Sequence, residues 1–319
     1  MKTLTCLLQL ALLPFVSELL DGSHAQAETY PSGPVKFITP IAAGSGTDPA
    51  MRIVVEQLGQ LWGQQSVLVN QPGAGGALAA RAALAAAPDG RTLHMAIASV
   101  FTLLPHTQPA NAVDVDAFVP IAFIGEVPMA IAVSKDQPVA TLADLVALSK
   151  RSPDGLSLAT TRGGIPHATA ELLRIRSGAK FTYVFYPGSA PAMSDVLGGR
   201  VPAIVDGLAG PVGTGQLKML AVAAAQRVKT HPDTPTVAES YPGVIGTGWF
   251  ALVAPPGTPG DIVKKINTDI GTVLSKPDVR QKLDAMTVTM RLMSPSELTA
   301  FIHAERELWK PIAQGIGGG

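Results

Sequence analysis

The chain has 319 residues, of which 47% are hydrophobic, 15% charged and 5% aromatic, and its 24 basic residues balance 24 acidic ones. Zero net charge argues against the basic surface that nucleic-acid binding requires, and the low aromatic content argues against base stacking. The single cysteine, Cys6, excludes a disulfide framework. The length predicts two domains of roughly 150 residues each.

The N-terminus has the pattern of an export signal. Lys2 precedes an apolar stretch from Leu4 to Val16, and a polar region ends in Ala25-Gln26-Ala27, which has the small-x-small pattern of a cleavage site. We therefore predict a signal peptide over residues 1–27 and a mature periplasmic protein without cysteine. No later stretch of about 18 apolar residues predicts a membrane span.

Strands and helices alternate along the first part of the mature chain, as is typical of an α/β fold. The predicted strands of this part are Val35 to Pro40, Ser66 to Val69, Thr92 to Ala98, Phe118 to Ile124 and Met129 to Ser134. One predicted helix starts at Asp48-Pro49, with Asp48 as its N-cap and Pro49 in the first turn. An alanine-rich helix is predicted from Ala77 to Ala87.

The same alternation continues through the second part. Its predicted strands are Leu156 to Thr160, Phe181 to Tyr186, Val201 to Val205, Leu217 to Ala223 and Trp249 to Ala254. The predicted helices run from Thr141 to Lys150, from Pro166 to Ser177, from Pro191 to Leu197, from Thr258 to Ser275, and onward from a capping box at Ser294. Because no single linker divides the chain, we expect it to cross between its domains more than once.

Three loops between a strand and a helix contain glycine: Ala42 to Asp48, Asn70 to Gly76 and Thr161 to His167. Such loops place free backbone N–H groups at the positive end of a helix, where they bind phosphate or carboxylate groups. The alternative is that the glycines only permit tight turns. Three such loops in one α/β chain favour a ligand site.

Nucleotide and enzyme motifs are missing from the sequence. There is no Walker A loop and no G-x-S-x-G elbow, and Pro49 breaks the dinucleotide pattern that begins at Gly44. His167 and Glu171 are one helical turn apart, but they lack a third metal ligand nearby. We predict no metal, no cofactor and no enzymatic activity. A secreted hydrolase that uses Asp48 or His167 remains the alternative.

Taken in order, the motifs of the mature chain resemble a known family. They are Tyr30-Pro31, VKFITPIAAGSGTD, VLVNQPGAGG, AAPDGRTL, YPGSAPA from Tyr186, TPTVAE from Thr234, Trp249-Phe250 and APPGTP from Ala254. The set covers essentially the whole mature chain. It is similar to the Bug-type (TctC-like) extracytoplasmic receptors of tripartite tricarboxylate transporters.

This resemblance implies a two-domain periplasmic-binding-protein fold, in which each domain is a mixed sheet flanked by helices. Domain 1 should combine residues 28–128 with 250–319, and domain 2 should comprise residues 129–249. The implied ligand is a small carboxylate held in the cleft between hinged domains. The implied partners are the membrane permease subunits of the transporter, and we expect a monomer. A receptor that hands the same ligand to a membrane sensor kinase is a further alternative.

The resemblance also implies ligand-binding positions in both domains. In domain 1 they are Gly44, Ser45, Gly46, Thr47, Asp48 and Ser99. In domain 2 they are Thr160, Thr161, Gly163, Gly164, His167, Tyr186, Ser189, Ala190 and Asp206.

Two segments depart from the family pattern. The loop at Thr161 is shorter than the usual form and carries Arg162 and Pro166, and the segment from Gly207 to Gly215 is shorter as well. Arg162 either clamps a ligand carboxylate with two hydrogen bonds or faces solvent at the edge of the loop. If it reaches the carboxylate, Arg162→Ala should weaken binding by about 1–3 kcal/mol.

Overall fold

The structure, a computed structural model, describes residues 30–44 and 46–317. The predicted signal peptide and Ser45 therefore lie outside the described residues. The strands are β1 Val35–Thr39, β2 Ser66–Asn70, β3 Thr92–Ile97, β4 Val119–Val133, β5 Leu156–Thr160, β6 Phe181–Phe185, β7 Ala203–Gly207, β8 Lys218–Val222 and β9 Thr247–Ala254.

Helices separate most of these strands. They are α1 Asp48–Trp62, α2 Ala77–Leu84, α3 Leu104–Thr107, α4 Leu142–Arg151, α5 Ile165–Ser177, α6 Ser189–Leu197, α7 Val237–Ser240, α8 Gly260–Ser275, α9 Pro277–Ala285 and α10 Pro295–Gly317. A π-helical turn, Ser99–Leu103, precedes α3. Short 3-10 turns occur at Ala74–Gly76, Pro109–Asn111, Val115–Ala117 and Pro211–Thr214.

The strands form one continuous hydrogen-bonded path in the order β2-β1-β3-β9-β4-β7-β5-β6, and β8 pairs with β4 off this path. β1 is parallel to β2 and β3, whereas β9 is antiparallel to both β3 and β4. β5 is parallel to β6 and β7. This mixed sheet with helices between the strands is the α/β class that the sequence predicts.

Strand β4 joins the two halves of this path. Its residues Val119 to Pro128 pair with β9, and its residues Met129 to Val133 pair with β7 and β8. The prediction of two separate strands here was wrong, because β9 continues to pair with β4 through the predicted gap. Pro128 lacks an N–H group, but its carbonyl still accepts a hydrogen bond from the Leu208 N–H at 3.0 Å.

Helix boundaries differ from the prediction where backbone geometry overrides composition. α6 begins at Ser189, two residues before the predicted start, because extended Gly188 is its N-cap and Pro191 fits into the first turn. α2 ends at Leu84. The short helices α3, α7 and α9 were not predicted, although α7 carries a capping box between Thr236 and Glu239.

Packing is densest around the central strands. Phe37 of β1 and Phe250 of β9 are fully buried. α1 buries Met51, Val54 and Leu58 along one face, as the apolar spacing predicts, and packs against α8. α10 covers β4 and the π-helical turn on another side. The carboxyl ends of the strands, where the glycine loops begin, are left to form the walls of a cavity.

Candidate ligand-binding cavity

A cavity of about 630 Å³ lies where the two halves of the sheet path meet. Residues from both halves line it, including Ile97 and Ser99 from one and Thr161 and Asp206 from the other. Its size is typical of a small-molecule site. Its walls are mainly apolar, with a few hydroxyl groups among them.

Ten of the predicted site residues line this cavity. They are Gly46, Thr47, Ser99, Thr161, Arg162, Gly163, Gly164, Tyr186, Ser189 and Asp206. Five others lie outside the lining: Gly44, Asp48, Thr160, His167 and Ala190. The structure therefore brings loops from both halves together, but it gives several of the expected residues another role.

Asp48 organises its own loop. Its Oδ2 accepts hydrogen bonds from the Gly44 N–H at 2.8 Å and from Arg52 at 2.9 Å, and its Oδ1 accepts one from Asn70 at 2.7 Å. Burial alone would raise the pKa of Asp48, but these hydrogen bonds hold it below its usual value. The predicted N-cap role was wrong: Thr47 is the N-cap, Asp48 is the first helical residue, and the Gly44 amide points at Asp48.

His167 has a comparable role in the loop that begins at Thr161. The Gly163 N–H donates to its Nδ1 at 3.3 Å, and the imidazole packs edge-on against Tyr183 and Phe185. The Gly164 N–H donates to the Thr161 carbonyl at 3.1 Å. Two amides that were expected to face a ligand are therefore used inside the loop. His167 positions the loop and does not line the cavity.

Acidification should weaken this loop. Burial lowers the pKa of His167 from 6.5 to about 4, with Glu171 opposing and Arg162 adding to the shift. The unfolded chain binds a proton near pH 6.5 while folded His167 does not, so its stabilising contribution falls as the pH drops from 6.5 towards 4. We expect the stability difference between wild type and His167→Gln to change by about 1 kcal/mol per pH unit in this range.

Urea denaturation of both proteins at several pH values measures this difference. The glutamine variant keeps an acceptor for the Gly163 N–H and removes the titration, so it serves as the matched control for the shared acid response of the other groups. A stability difference that stays constant from pH 7 to pH 5 would contradict the assignment.

Glu171 is occupied by its neighbours. Its carboxylate accepts hydrogen bonds from Arg174, at 2.6 and 2.9 Å, and from the Tyr183 hydroxyl at 2.9 Å. Within residues 30–44 and 46–317, no three His, Cys, Asp or Glu side chains are grouped so that they could hold a metal ion. Glu171 therefore holds the Tyr183 ring against which His167 packs.

Among the described lining residues, the charged side chains are Arg162 and Asp206. The Arg162 guanidinium lies over the Phe185 ring, with its Cζ 3.8 Å from the ring centroid. This stacking restricts the orientation of the guanidinium, although Phe185 itself is not a lining residue. Arg162 lines the cavity while its side chain remains exposed, so its contact with a ligand carboxylate stays a prediction.

Tyr186, which follows β6, and the first residue of α6 also belong to the cavity wall. The Tyr186 hydroxyl donates to Asp195 at 2.6 Å, and burial together with Asp195 raises the pKa of Tyr186 to about 12. Its hydroxyl proton is therefore already used within the protein. Ser189, the first residue of α6, lines the cavity.

The two walls of the cavity touch at two points on its rim. A methyl group placed on Gly210 would lie 3.5 Å from the Cα and N atoms of Gly46 on the opposite wall. A methyl group placed on Gly163 would lie 3.2 Å from Gln108 and 3.3 Å from Thr107. Gly163 also has a φ of +65°, which disfavours any other residue there. The described structure is thus a closed arrangement.

Several lining residues were not predicted. The Asn70 to Gly76 loop is one of the three glycine loops that favour a ligand site, but none of its residues is predicted individually; it contributes Pro72, Gly73, Gly75 and Gly76. Gln108 reaches the cavity from the C-terminal end of α3, a short helix for which the sequence carries no periodic signal. Val127, Met129, Gly248 and Trp249 line it from the points where β4 and β9 cross. The sequence predicts that the chain crosses between its domains near these four residues, and that prediction could have identified them.

Comparison with solved structures supports this architecture. R. palustris Rpa4515 with adipate is 29% identical, with a TM-score of 0.86 over 90% of this chain and 98% of that chain. The periplasmic binding protein BugD is 29% identical, with a TM-score of 0.82 over 90% and 99% of the two chains. MatC (Rpa3494) from Rhodopseudomonas palustris with bound malate is 29% identical, with a TM-score of 0.83 over 89% and 100%.

These matches confirm the predicted periplasmic-binding-protein fold. The family model described as the tripartite tricarboxylate transporter family receptor (TctC) matches residues 50–317, which is most of the chain. Both comparisons agree with the motifs quoted from the sequence and with the function of a solute-binding receptor. The chain therefore belongs to the receptor family of the tripartite tricarboxylate transporters.

Proposed function

We propose that this receptor captures a small carboxylate in the closed cavity and delivers it to the membrane permease subunits of a tripartite transporter. The observation that carries the proposal is the orientation of Arg162, stacked on Phe185 at the wall of an otherwise largely apolar cavity. A guanidinium held in one orientation can bind a carboxylate through two charge-assisted hydrogen bonds. The relatives with adipate and with malate in their structures are consistent with this class of ligand.

Uncharged donors add to this recognition. The hydroxyl groups of Thr47, Ser99, Thr161 and Ser189 belong to residues of the cavity wall. Apolar residues such as Ile97 and Trp249 fill the rest of the wall and keep water away from the ligand. A receptor that uses one arginine and neutral donors needs no excess of positive charge, which is consistent with the balanced composition.

The proposed domains are residues 28–128 with 250–319, and residues 129–249. The pairing of β4 supports this division, because its partner changes from β9 to β7 and β8 at Pro128 and Met129. β9 ends its pairing with β4 next to the same point, where Thr247 is opposite Pro128. We propose that these two crossing strands form the hinge and that the domains close on the ligand by rotation about it.

We further propose that the protein works in the periplasm as a monomer after removal of residues 1–27. No helix in the described part of the chain is both long and apolar enough to cross a membrane. The hydrolase alternative gains no support from the site. Its two candidate residues, Asp48 and His167, are hydrogen-bonded within their own loops and do not line the cavity.

Isothermal titration calorimetry with a panel of mono-, di- and tricarboxylates tests the proposed function. We expect at least one member to bind with micromolar or tighter affinity and to raise the melting temperature. A small decrease in the radius of gyration on binding should accompany closure of any open form. If no carboxylate in the panel binds, the proposed function is wrong.

Removal of the Arg162 guanidinium should weaken carboxylate binding. We expect Arg162→Ala to raise the dissociation constant about tenfold, because it removes a charge-assisted hydrogen bond to the ligand carboxylate. Calorimetry on the best ligand of the panel measures the change. Arg151→Ala is the matched control, since Arg151 is exposed at the end of α4 and away from the cavity. Equal dissociation constants for the two variants would show that Arg162 does not contribute to ligand binding.

A further inference from the structure

Gln108, at the C-terminal end of α3, has a side chain that packs against a glycine loop from each half of the molecule. A methyl group placed on Gly75 would lie 2.8 Å from Gln108 Nε2, and one placed on Gly163 would lie 3.2 Å from the same atom. Gly75 belongs to the Asn70 to Gly76 loop, and Gly163 belongs to the loop that begins at Thr161 on the other half. All three residues line the cavity. The Gln108 amide nitrogen therefore lies where the two walls meet beside the ligand site.

The backbone of both loops leaves room for this side chain. Gly75 has a φ of +66° and Gly163 a φ of +65°, values that glycine adopts without strain. A Cβ atom at either position would crowd the Gln108 amide nitrogen. The two loops therefore accommodate the end of the Gln108 side chain between them.

A neighbouring residue fixes the orientation of the Gln108 amide. Asn111 Nδ2 donates a hydrogen bond to Gln108 Oε1 at 3.0 Å, and the Asn111 carbonyl in turn accepts one from Arg81 at 3.1 Å. The NH2 group of Gln108 is then on the side of the two glycine loops, and no side-chain hydrogen bond among the described residues uses it. Since an NH2 group is a donor only, it needs an acceptor, and a ligand in the cavity can supply one.

We propose that Gln108 is a ligand-binding residue whose Nε2 donates a hydrogen bond to a carboxylate oxygen when the loop at Thr161 closes over it. A carboxylate is the strongest acceptor on the proposed ligand, and hydrogen bonds to ionised acceptors are stronger than those between neutral groups. The contact with Gly163 couples this bond to closure, because the proposed hinge rotation would move Gly163 away from Gln108 in an open form. This inference rests on the proposed function and adds a donor from the half of the molecule that does not contain Arg162.

Two variants test the donor. Gln108→Glu keeps the shape of the side chain and the acceptor for Asn111, but it replaces the NH2 group by an oxygen that is ionised at neutral pH. Gln108→Met keeps the length of the side chain and removes the donor without adding charge. With the best carboxylate of the panel, we expect the dissociation constant to rise about thirtyfold in Gln108→Glu and about tenfold in Gln108→Met. Gln281→Glu, at an exposed position of α9, is the matched control and should bind like wild type.

A second measurement distinguishes a ligand contact from a role in the shape of the rim. A carboxyl group next to the ligand carboxylate has a raised pKa and takes up protons when the ligand binds. Calorimetry in two buffers of different ionisation enthalpy should therefore show proton uptake by Gln108→Glu in excess of that by wild type. The affinity of Gln108→Glu should also approach that of wild type as the pH is lowered towards 5. The difference between Gln108→Met and wild type should stay constant over the same range.

The outcomes separate this inference from the proposed function. The inference is overturned if Gln108→Glu binds like wild type at neutral pH. Weak binding without excess proton uptake also overturns it, because the residue then acts on closure and not on the ligand. Wild-type affinity of Gln108→Met overturns it as well, and this variant alone decides if Gln108→Glu does not fold. In these cases the receptor function stands, whereas it fails if no carboxylate binds wild type.

Discussion

Replacing Gly210 by leucine is expected to weaken ligand binding about a hundredfold without lowering the melting temperature of the ligand-free protein. Gly210 lies on the rim of the cavity with a φ of −91° and an extended ψ, so its own backbone accepts any residue, even before Pro211. The obstacle is the opposite wall. The Cβ atom alone would already be in van der Waals contact with the backbone of Gly46 at 3.5 Å and with the Gly207 carbonyl of its own wall at 3.4 Å, so a leucine side chain has to be packed against the Gly46 backbone.

The expected effect follows from the closed arrangement. Two facing backbone segments cannot move aside as a flexible side chain could, so the added side chain strains the closed form. The free-energy cost of this overpacking should be near the upper end of its usual range of about 1–3 kcal/mol. About 2.7 kcal/mol corresponds to a hundredfold change in the dissociation constant. The proposed hinge rotation would separate the two rims in an open form, so leucine should cost that form little. The variant should therefore bind weakly while remaining as stable as wild type.

Two measurements check this expectation. Calorimetry gives the dissociation constant, and small-angle scattering shows whether the radius of gyration still decreases when the ligand is added. Gly260→Leu is the matched control, because no atom lies within 4 Å of the position of its Cβ. If Gly210→Leu binds and closes like wild type, the rim contact with Gly46 has no role in closure.

The loops that line the cavity were predictable from local sequence, but the use of their amides was not. Glycine next to a helix start identifies the loops around Gly46 and Gly163, and both line the cavity. Which N–H groups remain free depends on side chains four residues further along. Asp48 takes the Gly44 amide and His167 takes the Gly163 amide, and no spacing rule in the sequence distinguishes these cases from free amides.

Long-range pairing explains the error in β4. The apolar pattern of this segment is interrupted near Glu126 and Pro128, which predicts a break when the segment is considered alone. In the structure β9 pairs with it residue by residue across that interruption, from Gly125 opposite Phe250 to Pro128 opposite Thr247. The register shifts on β4 are irregularities of the β-bulge type, in which β4 has residues without a partner on β9. Such pairing between segments more than a hundred residues apart leaves no local pattern.

The proposed hinge region should be the part of the molecule least tolerant of added volume. Its key position is Gly246, immediately before β9, which is buried and fixed on both sides by the backbone. The Gly246 N–H donates to the Ala223 carbonyl at 2.8 Å, and the Gly246 carbonyl accepts from the Met129 N–H at 2.8 Å. These bonds connect the end of β8, the start of β9 and the crossing point of β4. Movement of Gly246 would therefore disturb all three strands.

Gly246→Ala is expected to reduce the free energy of unfolding by about 3 kcal/mol or more. A Cβ atom there would lie 2.0 Å from Oγ1 and 2.6 Å from Cγ2 of Thr169, both far inside contact distance. Thr169 cannot turn away freely, since it is fully buried and its hydroxyl donates to the Ile165 carbonyl at 2.8 Å. With backbone bonds on one side and a fixed side chain on the other, the clash must strain the fold.

Urea denaturation measures the loss, with Gly260→Ala as the control because its methyl group meets no atom within 4 Å. That control should stay within about 0.5 kcal/mol of wild type. Adding Thr169→Ala to Gly246→Ala removes the two closest atoms and should recover part of the stability, which a double-mutant cycle reports as a coupling energy. A loss below about 1 kcal/mol for Gly246→Ala would contradict the expected strain. A large loss without recovery would instead place its cause in the backbone bonds to Ala223 and Met129.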